Sequence, residues 1–199
     1  TALRERQSML DNVANERVWH EFSRILTGNN AAAVIERMRE DGMLSRILPG
    51  WDADTSPQHI LQAPDEDLAI CRLVLLAAEI NHERWRVLED DLRVLKTSNN
   101  DRSRFMSLHR LLGTLPDPTN LSELRRYRFG TGNAIQAHLS IEDTLRPEVS
   151  ASVRDALQSL RPLTAGDLPI IDGYAIASAT GMPMGRRLGQ LKSWLHRMQ

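Results

Sequence analysis

Residues 15–49 read NERVWHEFSRILTGNNAAAVIERMREDGMLSRILP, and this stretch predicts two helices that end in a tight turn. The face that the first helix would bury carries apolar residues at helical spacing: Val18, Trp19, Phe22, Ile25 and Leu26. Asn30 can cap the second helix, and Gly42 stands where a left-handed residue would close it. Pro49 ends the short apolar turn that follows. The fold is therefore expected to contain a helical pair near its beginning.

Apolar residues at helical spacing continue through the middle of the chain, and none of these segments alternates in the way of a strand. Three further helices are predicted from the following positions: Leu68, Leu75, Leu76 and Ile80; Trp85, Leu88, Leu92 and Leu95; Phe105, Leu108, Leu111 and Leu112. Asn100 or Asp101 is expected to cap the third of these helices, and Gly113 to close it. We therefore expect an all-α, elongated multi-helix array without a sheet.

The composition of the 199-residue chain is that of a folded globular protein, with 41% apolar and 26% charged residues. The longest uninterrupted apolar run, residues 73–78, is far shorter than the roughly 20 residues that span a bilayer. No basic-then-apolar signal opens the chain. We therefore expect no membrane partner and a cytoplasmic location. Cys71 stands alone, so it can form no internal disulfide, and a buried, inert thiol is expected.

Charge is divided unevenly along the chain, although the formal net charge is only −1. Residues 1–101 carry 12 Lys and Arg against 18 Asp and Glu, and residues 102–199 carry 13 against 8. An excess of positive charge in one half is a mild indication that this half faces a polyanion.

Two acidic clusters are the candidates for metal ligands, and neither fits that role well. Asp52 and Asp54 imitate the carboxylate pair that a two-metal nucleotidyl transfer requires, but they lie in a loop after Pro49 with no strand to orient them. The run 65–67, Asp-Glu-Asp, stands at the front of a predicted helix, where acidic residues favour the helix dipole. Helix capping therefore explains both clusters, and the sequence assigns no metal ligand and no catalytic residue.

The helical pair at 15–49 resembles the bacterial tRNA nucleotidyltransferases (CCA-adding enzymes) and the related bacterial poly(A) polymerases. Arg17 and Glu21 match the Arg-x-x-x-Glu pair of the family's neck helix. The Gly-x-Leu-x-x-x-Leu-Pro ending is matched by Gly42, Leu44, Leu48 and Pro49. A second stretch, near the end of the chain, is similar to the family's closing pattern in these positions: Thr164, Gly166, Asp167, Leu168, Gly173, Gly181, Gly185 and Leu188.

The resemblance implies that the chain is the neck end, body and tail of such an enzyme, without its catalytic head. Since the sequence begins at Thr1 within a helical pattern, we expect it to be part of a longer protein. The implied segments are 1–50 (neck end and RNA-binding domain of the poly(A) polymerase family), 51–117 (body) and 118–199 (tail). Arg17 and Glu21 would brace the neck without doing chemistry.

The function that the resemblance implies is RNA binding in tRNA processing. This part would hold the acceptor and T arms of tRNA while the head adds CCA from CTP and ATP with magnesium. The fragment itself would need no cofactor and would be inactive alone. One alternative is the RNA-binding region of a poly(A) polymerase, and another is a helical protein-interaction module without an RNA ligand.

Two basic segments are the candidates for RNA contacts. In the first, Arg125, Arg126 and Arg128 surround Tyr127 and Phe129, and such interleaving can hold phosphates and stack bases. The same pattern also fits a plain helix face whose aromatic residues are core.

The second basic segment is the final helix, which has no acidic residue over 181–199. Its predicted buried stripe consists of Met184, Leu188, Leu191, Leu195 and Met198. Arg186 and Arg197 point away from that stripe, and Lys192 lies on one flank. Together with Arg187 they are the candidate phosphate-binding residues of this segment. Either a solubilising surface or a phosphate-binding strip fits this pattern.

Overall fold

The structure is a computed structural model that describes residues 13–51, 68–80, 84–160 and 173–198, of which 196–198 only as helical backbone. Within these ranges the chain forms helices and no strand, which confirms the all-α prediction. The α-helices are, in chain order, α1 (Asn15–Thr27), α2 (Ala31–Glu40), α3 (Met43–Ile47), α4 (Leu68–Leu76), α5 (Trp85–Val94), α6 (Asn99–Leu111), α7 (Leu121–Thr131), α8 (Ile135–Leu145), α9 (Pro147–Ser159), α10 (Gly173–Thr180) and α11 (Arg186–Met198). The acidic clusters at 52–54 and 65–67, and the motif residues at 164–168, lie outside the described residues.

The predicted helical pair is present as α1 and α2. Phe22 and Leu26 are buried on α1, as the apolar spacing predicted. Gly42 adopts the left-handed conformation, with φ of 74°, at the end of α2. One detail was wrong: Asn30 stands at the N-cap of α2, but its side chain makes no capping hydrogen bond.

The chain divides into two compact units. The first unit comprises Thr1–Thr114 and Gln136–Pro147, and the second comprises Leu115–Ile135 and Glu148–Gln199.

Helix α4 is the centre of the first unit, where it packs against α1 and α6. Its side chains from Ile70 to Leu76 are all buried, including Cys71 as expected. The sequence pattern missed the role of Arg72. Its Nη1 donates to the carbonyl oxygens of Leu26, at 2.5 Å, and Gly28, at 2.8 Å. Arg72 therefore satisfies carbonyls at the C-terminus of α1, which that helix cannot satisfy itself.

A stack of aromatic rings fills the first unit beside α4. The Trp51 and Phe105 ring centroids are 5.7 Å apart, and the same distance separates Phe105 from His109. Nε2 of the buried His109 lies 3.1 Å from the carbonyl oxygen of Ala77. The cap of α6 is Ser98, whose hydroxyl accepts from the amide of Asp101, so the predicted cap at Asn100 or Asp101 was wrong by two or three residues.

Gly50 is held between two charged side chains of the first unit. Its amide donates to Oδ2 of Asp91 at 2.7 Å, and its carbonyl oxygen accepts from Nη2 of Arg84 at 2.8 Å. A Cβ at this position would collide with the side chain of Val87, so the close approach requires glycine. Burial raises the pKa of Asp91, although the Gly50 amide opposes that effect.

A buried carboxylate, Glu142, ties α8 to the end of α6. It accepts from the amide of Gly113 at 2.7 Å and pairs with Arg146 at 2.6 Å. Nε2 of the buried His138 lies 3.3 Å from the same carboxylate. Burial raises the pKa of Glu142, but the hydrogen bonds from His138, Arg146 and Gly113 outweigh it and lower that pKa to about 2.

Candidate nucleic-acid interface

Metal-binding and membrane-spanning features are absent from the part of the chain that the structure describes. No group of three His, Cys, Asp or Glu side chains there could hold a metal ion. No described helix is long and apolar enough to cross a membrane. The helix faces that carry arginine are the candidate surfaces for binding a polyanion.

Arg17 and Glu21, the motif pair of α1, both lie on the exposed face of that helix. The carboxylate of Glu21 lies 3.4 Å from Nη1 of Arg24 and 3.7 Å from Nδ1 of His20. Glu21 therefore has partners on its own helix other than Arg17. The bracing role of the pair stays a prediction.

The arginines of α2 are likewise engaged by carboxylates within one turn. Arg37 donates from Nε to Asp41 at 2.9 Å, and Arg39 lies 2.5 Å from Glu36. The hydrogen bond from Arg39 lowers the pKa of Glu36. These pairs neutralise the positive charge of α2, so its surface offers little attraction to a phosphate backbone.

A pocket of about 500 Å³ also lies along α1 and α2. Its lining is mainly apolar and includes Ile25, Val34, Met38 and Met43, with Asn30 among its polar residues. Val34 is 39% exposed there, which is unusual for a valine in a helical core. The pocket has the size and lining of a site for an apolar side chain or small molecule rather than for a phosphate.

Helix α7 begins with a reciprocal cap. The side-chain oxygen of Asn120 accepts from the amides of Ser122 and Glu123, and its Nδ2 donates to Glu123 at 2.9 Å. This arrangement fixes the start of the helix and thereby the direction of every later side chain. It also engages Glu123 at the helix start, away from the arginines that follow.

The two aromatic residues of α7 have different environments. Tyr127 is only 8% exposed and belongs to the buried face with Leu124 and Thr131, so the core interpretation holds for this residue. Phe129 is 49% exposed.

Arg125 and Arg126 are exposed on α7, whereas Arg128 is half-buried on its flank. The spacing of three and four residues places Arg125 and Arg126 on the same helix face as Phe129. The three side chains form what we call the α7 basic-aromatic patch.

Helix α11 presents the second basic face. Arg186 and Arg187 are exposed, as predicted, while Lys192 is half-buried and the side chain of Arg197 lies outside the described residues. The predicted stripe is only partly right: Leu188 is 4% exposed, but Met184 precedes the helix and is 59% exposed. The reason is that α11 begins at Arg186, so Met184 does not follow the helical period.

Trp194 is a feature of α11 that the sequence pattern missed. It is 49% exposed, on a helix that packs against α10 and whose Leu188 is buried. Its angular position, about 80° from Arg186 at roughly 100° per residue, places it on the side away from Leu188. A helical wheel centred on Leu188 instead of Met184 would have indicated this exposure.

The arginines of α2 have carboxylate partners, whereas the exposed arginines of α7 and α11 have none in the described ranges. No carboxylate among the described residues pairs with Arg125, Arg126, Arg186 or Arg187. The second unit carries 9 Lys and Arg against 6 Asp and Glu over its whole length, and the first unit carries 16 against 20. Positive charge therefore exceeds negative charge in the second unit only, although Arg17, Arg86 and Arg110 of the first unit are also exposed and have no carboxylate partner in the part of the chain that the structure describes.

Comparison with known proteins yields one match. Residues 1–55 match the family model described as the probable RNA and SrmB-binding site of polymerase A. No curated protein and no solved structure matches the chain. The match supports an RNA-binding region of the poly(A) polymerase family at the start of the chain, and it does not single out the CCA-adding enzymes.

Proposed function

We propose that this chain is the RNA-binding C-terminal part of a cytoplasmic nucleotidyltransferase, and that its ligand is tRNA. The match of residues 1–55 to the RNA-binding region of polymerase A carries the proposal. The helical architecture and the matched residues Gly42, Leu44 and Leu48 agree with it, since Gly42 closes α2 and both leucines are buried. The closing pattern near the end of the chain resembles the same family, in which tRNA is the substrate of the CCA-adding members, and poly(A) addition is the alternative.

Both basic faces of the second unit bind RNA phosphates in this proposal. Arg125 and Arg126 on α7, and Arg186 and Arg187 on α11, bind phosphates of the acceptor and T arms. Exposed arginines suit this task because the planar guanidinium can donate two hydrogen bonds to one phosphate. The catalytic head, with magnesium, CTP and ATP, belongs to the rest of the enzyme.

Salt-dependent tRNA binding tests the proposed function. Fluorescence anisotropy with tRNA lacking its 3′ CCA is expected to show an affinity that falls linearly on a log-log plot against salt concentration. Oligo(A) and a DNA duplex serve as comparison ligands. Binding to tRNA no tighter than to the DNA duplex would contradict tRNA as the ligand, and no binding to any of the three would contradict RNA binding altogether.

The bracing role proposed for Arg17 and Glu21 has its own test in the complete enzyme. Arg17→Ala is expected to reduce nucleotide incorporation far more than tRNA affinity, because the pair would support the neck and not contact RNA. The matched control is Arg24→Ala, which lies two turns further along the same face of α1 and is paired with Glu21. Equal losses of incorporation and affinity would contradict the bracing role.

One observation favours a second candidate function, protein binding by the first unit. The apolar pocket along α1 and α2 lies within the matched residues, and the family description names SrmB as well as RNA. A titration with purified SrmB tests this candidate, with Val34→Asp in the pocket and Val94→Asp as the control on α5. Val94 is 61% exposed, so the control places the same charge on open surface. Equal SrmB affinity of both variants would reject the pocket as the binding site.

A further inference from the structure

We propose that Phe129 is a stacking platform for an unpaired RNA base, and that Arg125 and Arg126 hold the phosphates beside that base. This inference rests on the proposed function and names its ligand more closely. The ligand of the α7 basic-aromatic patch would be a loop or single-stranded segment of RNA, not a continuous duplex.

Exposure of Phe129 is the first observation behind the proposal. Its ring is 49% exposed, although helix α7 has a complete buried face in Leu124, Tyr127 and Thr131. The aromatic ring that α7 contributes to the core of the second unit is therefore that of Tyr127, not that of Phe129. An aromatic ring that remains exposed beside arginines offers a face on which a base can stack.

Helix geometry supplies the second observation. Phe129 follows Arg125 by four residues and Arg126 by three, and side chains at these separations are neighbours, with Cβ atoms about 5–6 Å apart. Arg125 and Arg126 therefore flank Phe129 on this helix face, both toward the N-terminal end of α7. A nucleotide that stacks its base on this ring would bring its own phosphate, or the next one along, toward those guanidinium groups.

The arginines also have unused hydrogen-bonding capacity. Arg126 donates from Nε to the carbonyl oxygen of Ser122 at 3.3 Å, and its two Nη groups donate to no described residue. No carboxylate in the described ranges pairs with Arg125 or Arg126. A phosphate would therefore bind without displacing an internal partner.

RNA is the occupant that this combination of groups favours. A flat ring stacks on any base, and base-aromatic stacking contributes about 1–3 kcal/mol per base in single-strand binding proteins. The bases of an A-form duplex are stacked on one another, so they cannot stack on the ring of Phe129. An acidic peptide would satisfy the arginines, but it would not use the ring face.

The test measures affinity for two RNAs with the full chain. The probes are an oligo(A) of about 12 nucleotides and an RNA duplex of similar length. The variants are Phe129→Leu, which keeps an apolar side chain without a ring, and Phe129→Trp, which keeps an aromatic ring. Leu121→Ala is the control, because Leu121 is 50% exposed at the start of the same helix. Thermal melting of every variant checks that the fold is retained.

The expected result is a selective loss in Phe129→Leu. Its affinity for oligo(A) should fall by about tenfold, with an unchanged salt slope because no charge is removed, and its affinity for the duplex should not change. Phe129→Trp should bind oligo(A) at least as tightly as the parent chain. Arg125→Ala should instead lower the salt slope for oligo(A) by about 0.7.

Two results would overturn the proposal, and only the second of them would also overturn the proposed function. If the parent chain binds both RNAs and Phe129→Leu binds them equally well, stacking is wrong while RNA binding stands. If the parent chain binds neither RNA nor tRNA, both the stacking and the proposed function are wrong. Tighter binding of an acidic peptide than of oligo(A) would likewise reject RNA as the occupant.

Discussion

Arginines of the first unit that lie near carboxylates or carbonyl oxygens differ from the exposed arginines on α7 and α11 of the second unit. In the first unit, Arg37, Arg39 and Arg146 are held by carboxylates, and Arg72 is held by carbonyl oxygens. In the second unit, the exposed arginines of α7 and α11 have no carboxylate partner among the described residues. The number of arginines therefore says little about where a polyanion binds, because their partners decide how much charge is available.

The family match and the arginines of α7 and α11 lie in different units. Residues 1–55 match an RNA-binding region, yet the described arginines of α2 within it are paired. The Arg39–Glu36 pair is partly exposed, and such pairs contribute only about 0–1 kcal/mol to stability, so a strong phosphate ligand could still displace it. If RNA contacts both units, removing arginines should affect affinity more in the second unit than in the first.

The largest expected effect concerns the buried carboxylate of the first unit. Glu142→Ala would leave Arg146, His138 and the Gly113 amide without their shared acceptor. The expected loss is about 3–5 kcal/mol of unfolding free energy, measured by urea denaturation. Glu148→Ala, at an exposed position, is the control and should cost less than about 0.5 kcal/mol. Similar stability of both variants would mean that the pairing of Glu142 is not structural.

Acid should weaken the first unit through the same residue. The folded-state pKa of Glu142 is lowered from 4.5 to about 2, so its stabilisation is present above pH 4.5 and is lost as the pH falls toward 2. The expected loss is on the order of 3 kcal/mol. It is measured as the difference in unfolding free energy between the parent chain and Glu142→Gln, which should shrink over this interval. A constant difference would contradict the assigned pKa.

In the second unit, the double variant Arg125→Ala/Arg126→Ala tests the available charge. At about 0.05 M salt each phosphate contact contributes roughly a tenfold factor, so tRNA affinity should fall about 100-fold and the salt slope by about two. Its counterpart is Arg24→Ala/Arg39→Ala, which removes two paired arginines from the first unit, Arg24 exposed and Arg39 half-buried. That counterpart should lose less than about threefold, and equal losses would remove the distinction between the units.

The smallest expected effect belongs to α11. Arg186→Ala should weaken tRNA binding by about tenfold at low salt and lower the salt slope by about one, with thermal stability unchanged because the side chain is exposed. Arg197→Ala is expected to behave in the same way. A salt slope equal to that of the parent chain would restrict the tRNA surface to α7.

Local sequence determined most of the helical framework. Apolar spacing identified α1 and its buried residues Phe22 and Leu26, and Gly42 was correctly placed as a left-handed helix end. Such features depend on the backbone period and on the conformational range of glycine, both of which act within a few residues. Caps were less predictable, because several neighbouring polar residues can serve and only one does: Ser98 instead of Asn100 or Asp101.

Tertiary structure decided which aromatic side chains are buried and which partners the polar side chains have. Sequence spacing treated Tyr127 and Phe129 alike, yet one is buried and the other exposed, because only packing shows which side of α7 is covered. The same holds for Arg72, whose acceptors are 44 and 46 residues away, and for Glu142, whose amide partner is 29 residues away. Helical period is local, whereas burial and charge pairing depend on the residues that folding brings together from distant parts of the chain.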